Sequence, residues 1–218
     1  NPLGHALFTD YISKIISKPN ETILREIYSS DAPSGYVPGS PYSYPIGDYD
    51  QADTFTQGSP SPTDYSFQSG GKQYFLVTDP KSFSDAESYA LTLNGHLAVL
   101  SSVEENDSVF DNIQSIIYSN NLNPAIAEDG GGAAYVWIGG SDEVNEGTWT
   151  WLNGEKFEGV AWGSGSLGSE PDNFQNQDYL AIGLENWPTT YTGVGYGEMG
   201  TWNDLDGSNA LFSIIEVI

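Results

Sequence analysis

Residues 170–178 read Glu-Pro-Asp-Asn-Phe-Gln-Asn-Gln-Asp, and seven of these nine side chains end in an oxygen. Oxygens crowded this way can do one of two kinds of chemistry. They can hold a hard cation, or two of the carboxyls can act as acid and base. Calcium takes six to eight oxygens at about 2.3–2.6 Å. One turn does not supply that many, so other segments must converge on it. Trp202-Asn203-Asp204 and Ser141-Asp142-Glu143-Val144-Asn145-Glu146 are candidates of matching chemistry. A glycosidase pair would need two carboxyls at a set separation across a cleft. The amides interspersed with the acids suit calcium better. A solvated polar loop is the plain alternative.

The chain has 218 residues, with 30 Asp and Glu against six Lys and Arg and a formal charge of −24. Such a surface repels nucleic acid and anionic membranes, and clustered carboxylates favour divalent cations. Cysteine is absent, which excludes disulfides, thiolate catalysis and sulfur-ligated metal. The two histidines, His5 and His96, offer no serine–histidine–acid arrangement, and no enzyme is expected. No stretch approaches the ~20 apolar residues of a membrane span. No signal peptide is visible, and the abrupt start and end fit a module within a longer chain.

The elements that must position the oxygens follow from periodicity. Residues 1–28 carry two helical patterns, the first with Leu7, Phe8, Tyr11, Ile12, Ile15 and Ile16 on one face. Residues 29–70 form a Pro-, Gly- and Tyr-rich extension, irregular but packed through its aromatics. The rest reads as one α+β domain over 71–218. Tyr74–Val77 predicts a first strand. Ser84 and Glu87 form a capping box for a helix that Gly95 ends, and Leu97 and Val99 alternate as a short strand. Ser102 and Glu105 cap a second helix with Val109, Phe110, Ile113, Ile116 and Ile117 as its buried stripe. Strands follow at 135–138, 148–151, 179–184 and 211–218. Trp137, Trp149 and Trp151 alternate in these strands and read as core.

Four segments then fall into a recognisable order: "AESYALTLNGHLAVLSSVEEN" from Ala86, "WIGGSDEVNEGTWTWLNG" from Trp137, "EPDNFQNQDYLAI" from Glu170, and "WND" at 202–204. Together they resemble the C-type lectin domain, from about Lys72 to the end. The resemblance implies a C-type lectin fold, two helices flanking looped antiparallel sheets, with calcium in a long loop and sugar held on the calcium. Carried over position by position, it implies a principal site of Glu170, Asp172, Gln177, Asn203 and Asp204. It implies a second site of Asp142, Glu146, Asn173 and Asp178, with Gln177 shared. It also implies a cis Glu170–Pro171 bond, aiming residues 170 and 172 at one point.

This sequence departs from the family pattern in four ways. Asp172 stands where Glu-Pro-Asn has its amide, and Gln177 where the family has a carboxylate. Formal ligand charge is conserved, while the pattern of donors and acceptors is not. Glu-Pro-Asn accompanies mannose, fucose and glucose types and Gln-Pro-Asp galactose types; the retained Glu170 favours fucose or mannose. Ala90, Tyr179, Gly207 and Ile215 occupy the usual cysteine positions, so packing, calcium and anchoring by residues 1–70 must replace the disulfides. Finally, loop 185–200 is long and offers Trp187, Tyr191 and Tyr196 as candidate sugar contacts. The expectation is a secreted or cell-surface module, monomeric within a large bacterial adhesin of the RTX kind, binding cell-surface glycans through Ca2+. A related module that binds protein or another surface, with calcium structural or absent, is the second expectation.

Overall fold

The structure, a computed structural model, describes residues 60, 61 and 64–218. The helical patterns of residues 1–28 and most of the Tyr-rich extension lie outside the described residues. Residues 65–69 do not belong to an irregular extension. They form β1 (Tyr65–Ser69), paired antiparallel with β2 (Lys72–Lys81). Gly70 and Gly71 both have positive φ, which a two-residue hairpin matching the sheet twist requires. Tyr65 and Phe67 point together onto the core, a period-two signal that the sequence carries.

Helix α1 (Phe83–Thr92) starts two residues earlier than the capping box at Ser84 predicts. Ser82 is the cap, its hydroxyl accepting from Asp85 N at 3.2 Å. That register lets Phe83 bury its ring edge-on to Trp137, at 5.4 Å and 86°. Asn94, with φ 56°, makes the left-handed exit that the sequence assigns to Gly95. Gly95 instead opens β3 (Gly95–Leu97), where any Cβ would collide with the Glu216 carbonyl oxygen. Helix α2 (Val103–Asn120) is capped as the sequence predicts. Ser102 Oγ accepts from Glu105 N at 3.1 Å, and the Glu105 carboxylate reaches back to Ser101 N at 2.9 Å.

The remaining strands are β4 (Ile126–Ala127), β5 (Ala133–Ser141), β6 (Thr150–Trp151), β7 (Tyr179–Gly183), β8 (Trp202–Leu205) and β9 (Leu211–Val217). They order as β1-β2-β9-β5-β7-β8, with β3 also on β9, and β4 and β6 on β5. Every pairing is antiparallel except β5 with β9. All nine residues of β5 are buried because both faces are covered. Val136 and Ile138 pack with Val109, Phe110 and Ile113 of α2, whereas Tyr135 and Trp137 pack with Phe83, Ala86 and Ala90 of α1. Trp151 also lies in the α2-side core, stacked edge-on to Trp202 at 5.7 Å. Of the four positions at which the resemblance implies cysteine, Gly207 and Tyr179 face each other. Ala90 and Ile215 share the α1-side core, and a Cβ on Gly207 would lie 2.5 Å from Tyr179 Cε2. An aromatic ring over a glycine thus stands where the resemblance implies two of the cysteines. Lys72 adds a tie between strands and helix, 2.8 Å from Glu105 and 3.1 Å from Glu216.

Candidate metal centre

The oxygen-rich loop leaves β7 on its N-terminal side and lies against β8. The Glu170–Pro171 bond is cis. Asn173, Gln175 and Asn176 take left-handed φ of 51°, 60° and 69°, a conformation that asparagine tolerates and glutamine adopts rarely. The coiling brings two consecutive backbone amides onto one carboxylate. Asp172 N donates to Asp204 Oδ1 at 3.2 Å, and Asn173 N to Asp204 Oδ2 at 2.7 Å. Asp204 is 0 % exposed, held in β8 beside the core residue Trp202.

Glu170 is 8 % exposed. Its Oε1 accepts from the Trp187 indole N–H at 2.8 Å, while its Oε2 is buried with no partner. Oxygens of Glu170, Asp172 and Asp204 all lie within 4.8 Å of one another. Among the described residues no other three histidine, cysteine, aspartate or glutamate side chains converge so tightly. The electrostatics record the crowding. Burial pushes the Glu170 carboxyl up to about 8, with the charges of Asp172 and Asp204 adding to it. Burial pushes Asp204 up to about 6, although the amide N–H groups of Asn173 and Asp172 pull against it. Such a centre is relieved by protons or by a cation.

The two predicted amide ligands are buried in the same neighbourhood. Gln177 Nε2 donates to Asp129 Oδ2 at 3.2 Å, and Gln177 N to Asn173 Oδ1 at 2.8 Å. Asn203 Nδ2 donates to the Tyr135 hydroxyl at 3.1 Å. The Tyr135 hydroxyl itself feels the charges of Glu170, Asp129 and Asp204, which places Asn203's amide among them.

The second predicted group is looser. Asp142 is 3 % exposed, with Oδ2 accepting from Gly147 N at 2.9 Å and Oδ1 buried without a partner. Its backbone N–H donates to the Asp178 carbonyl at 3.2 Å. Burial raises the Asp142 carboxyl above its ordinary value, and Glu146 and Asp178 add to the rise. Asp178 accepts from Asn176 Nδ2 at 2.8 Å. Glu146 is exposed, and Asn173 spends its side-chain oxygen on Gln177 N.

The aromatic candidates separate. Trp187 is 2 % exposed, packed against Tyr135 at 5.6 Å, so it is a wall behind Glu170 and not an exposed sugar platform. Loop 185–200 folds back on itself through Trp187 N to Gly197 O at 3.0 Å and Tyr196 N to Trp187 O at 2.9 Å. Gly197 has no Cβ where the indole lies, which is why the ring turns inward. Tyr196 is half-buried against the α1-side core. Tyr191 is exposed and its hydroxyl meets Ser166 Oγ at 2.9 Å. The sequence reading overlooks Phe174, exposed at the tip of the loop, and Asp129 and Tyr135 beneath it. A lone aromatic inside a polar loop was the signal for Phe174. No sequence signal marks Asp129, whose partners lie 48 or more residues away.

The model of the lectin C-type domain matches residues 79–210. Ladderlectin of Oncorhynchus mykiss is 27% identical over 144 residues, 66% of this chain and 61% of that protein. Halomucin of Haloquadratum walsbyi is 30% identical over 144 residues, 62% of this chain and 1% of that protein. The chain thus spans less than two thirds of either relative. A structure of the EPNH mutant of CEL-I, a lectin from Cucumaria echinata, superposes with a TM-score of 0.50 at 23% identity, covering 73% of this chain and 97% of that one.

Proposed function

The chain belongs to the C-type lectin domain family, and from that premise we propose that it is a calcium-dependent carbohydrate-binding module with no enzymatic role. One observation carries the reading: Glu170 Oε2 is buried without a partner beside two further carboxylates. A buried carboxylate oxygen left unpaired is costly unless something neutralises it. The donor set is entirely oxygen, which suits calcium and not zinc or copper. Glu170, Asp172, Gln177, Asn203 and Asp204 would hold the principal ion. Asp142, Glu146, Asn173 and Asp178 would serve a second, with the unpaired Asp142 Oδ1 supporting that role.

A bound calcium supplies open positions for two neighbouring sugar hydroxyls. The chain's part is to accept their hydrogen bonds: Glu170 and Asp172 are acceptors, and the sugar must present donors to them. The retained Glu170 favours fucose- or mannose-type glycans. Phe174 and Tyr191 are the exposed aromatic faces on the surrounding loops. The domain we assign begins with β1, at Tyr65. Its setting is extracellular, as a monomeric module of a long bacterial surface adhesin of the RTX kind. The match to 1% of halomucin supports a small domain carried on a very long chain. Cellular calcium is low and external calcium high, so metal-coupled folding would hold the chain open until export. No helix among the described residues is long and apolar enough to cross a membrane.

A glycan array carrying fucose, mannose and galactose types, read with calcium and with chelator, tests this. Calcium-dependent binding to fucose or mannose glycans is expected. Binding that survives chelator, or a folded protein that captures no glycan in excess calcium, would sink the reading; galactose-type binding would overturn the sugar class alone.

A further inference from the structure

The turn at residues 127–132 meets Gln177 Nε2 directly and Asn203 Nδ2 through the Tyr135 hydroxyl. Gln177 Nε2 donates to the Asp129 carbonyl at 3.3 Å and to Asp129 Oδ2 at 3.2 Å. Both partners only accept, so the amide must show them its nitrogen; a flipped amide would set oxygen against oxygen. Asn203 Nδ2 donates to the Tyr135 hydroxyl at 3.1 Å, and that hydroxyl donates its one proton to the Gly130 carbonyl at 2.7 Å. Towards Asn203 it can therefore only accept. Both amide oxygens are turned away from the turn.

Asp129 is itself pinned. Its Oδ2 accepts from Asp206 N at 2.8 Å and its Oδ1 from Asn209 Nδ2 at 2.9 Å. It cannot swing aside, and Gln177 is 2 % exposed, with little room to turn. The Gln177 amide nitrogen meets Asp129 twice, at its carbonyl and at its carboxylate.

We propose that Asp129 is a positioning residue that fixes Gln177 as an oxygen donor to calcium and withholds its N–H groups from the sugar. This rests on the calcium reading above. It also sharpens the ligand class. Asp172 carries no side-chain N–H where the family has an amide, and Gln177 directs its amide nitrogen at Asp129. The centre therefore selects a vicinal pair of hydroxyls that both donate, and of the five principal ligands Asn203 is the one whose amide is not aimed at Asp129.

The test is a calcium chloride titration by calorimetry on the full chain, paired with thermal unfolding in chelator. Asp129→Asn can turn its own N–H groups on Gln177 and release the amide. The variant is expected to bind calcium about 10-fold or more weakly, in the range for partners that orient a metal ligand. Gln177→Glu alone sets two carboxylates face to face. Asp129→Asn combined with Gln177→Glu restores a donor–acceptor pair, and affinity should return to within about 3-fold of the parent. Unchanged affinity in Asp129→Asn overturns the proposal. So does a loss that the double variant fails to recover, with the chelated unfolding midpoint lowered equally in both: Asp129 then only holds the fold. If the parent itself binds no calcium, the calcium reading falls and this proposal with it, a result distinct from the other two because all four proteins are then silent.

Discussion

The indole N–H of Trp187 donates to Glu170 Oε1 at 2.8 Å, and both side chains are buried. The bond joins two loops that the sequence separates by 17 residues. It satisfies one oxygen of the carboxylate and leaves the other for the metal centre. Trp187→Phe keeps most of the packing and removes the donor. Leaving a buried acceptor unpaired costs about 1–3 kcal/mol. The expected outcome in urea unfolding is a loss of that size, together with weaker calcium binding. Unchanged stability would show that water replaces the indole.

The pH dependence follows from the raised carboxyls. Glu170 ionises at about 8 in the fold against an ordinary 4.5, and Asp204 at about 6 against 3.8. In chelator their stabilising contribution is full below the ordinary values and is lost as pH rises through the folded ones. The calcium-free protein should therefore melt at a lower temperature at pH 8 than at pH 5. With calcium the trend reverses, because the cation takes the deprotonated carboxylates and displaces protons. Scanning calorimetry across pH 4.5–8.5, with and without calcium, checks both signs. A chelated midpoint that climbs steadily with pH would contradict the burial argument.

Asp172→Asn converts Glu-Pro-Asp to the family's Glu-Pro-Asn. One carboxylate is removed and one N–H donor gained. Calcium affinity should fall, while calcium-saturated binding to mannose-type glycans should strengthen. Asp204→Asn is more severe, since Asp204 also gathers the amides of Asp172 and Asn173. It is expected to lower calcium affinity by more than about 100-fold, the most that losing a partner which only orients a ligand usually costs. Titration calorimetry measures both.

Tyr179→Cys with Gly207→Cys should close a disulfide, because the ring of Tyr179 already sits where a Cβ on Gly207 would be. Non-reducing electrophoresis shows whether it forms. Against its own reduced form, the oxidised variant should gain about 2–4 kcal/mol. Failure to oxidise would mean that the two positions do not face each other as in the family.

Much of the architecture was legible because its signals are local. The unbroken apolar run Tyr135-Val136-Trp137-Ile138 marks a strand buried on both faces, and Ser102 with Glu105 marks the start of α2. The cap of α1 was misplaced because Ser82 and Ser84 are equally good candidates in sequence; the burial of Phe83 under Trp137 decides between them. Strand β1 was missed because a Tyr-rich composition masked its alternation. That Glu170, Asp172 and Asp204 come together was readable from motif order. Asp129 was not, since its role exists only once residues 129, 177, 206 and 209 meet in space. Trp187 was misread for the converse reason: composition shows an aromatic, and only Gly183 and Gly197 beneath it show which way the ring turns.

The central claim is that these carboxylates hold calcium. Thermal unfolding of the parent protein at neutral pH, across a calcium titration, tests it most directly. A ligand that binds only the folded state stabilises it by about 2.7 kcal/mol at a concentration 100 times its dissociation constant. The account predicts an unfolding midpoint that rises with calcium and keeps rising logarithmically past saturation, with magnesium far less effective. A midpoint that stays flat from chelator to excess calcium, in a protein that unfolds cooperatively, would contradict it.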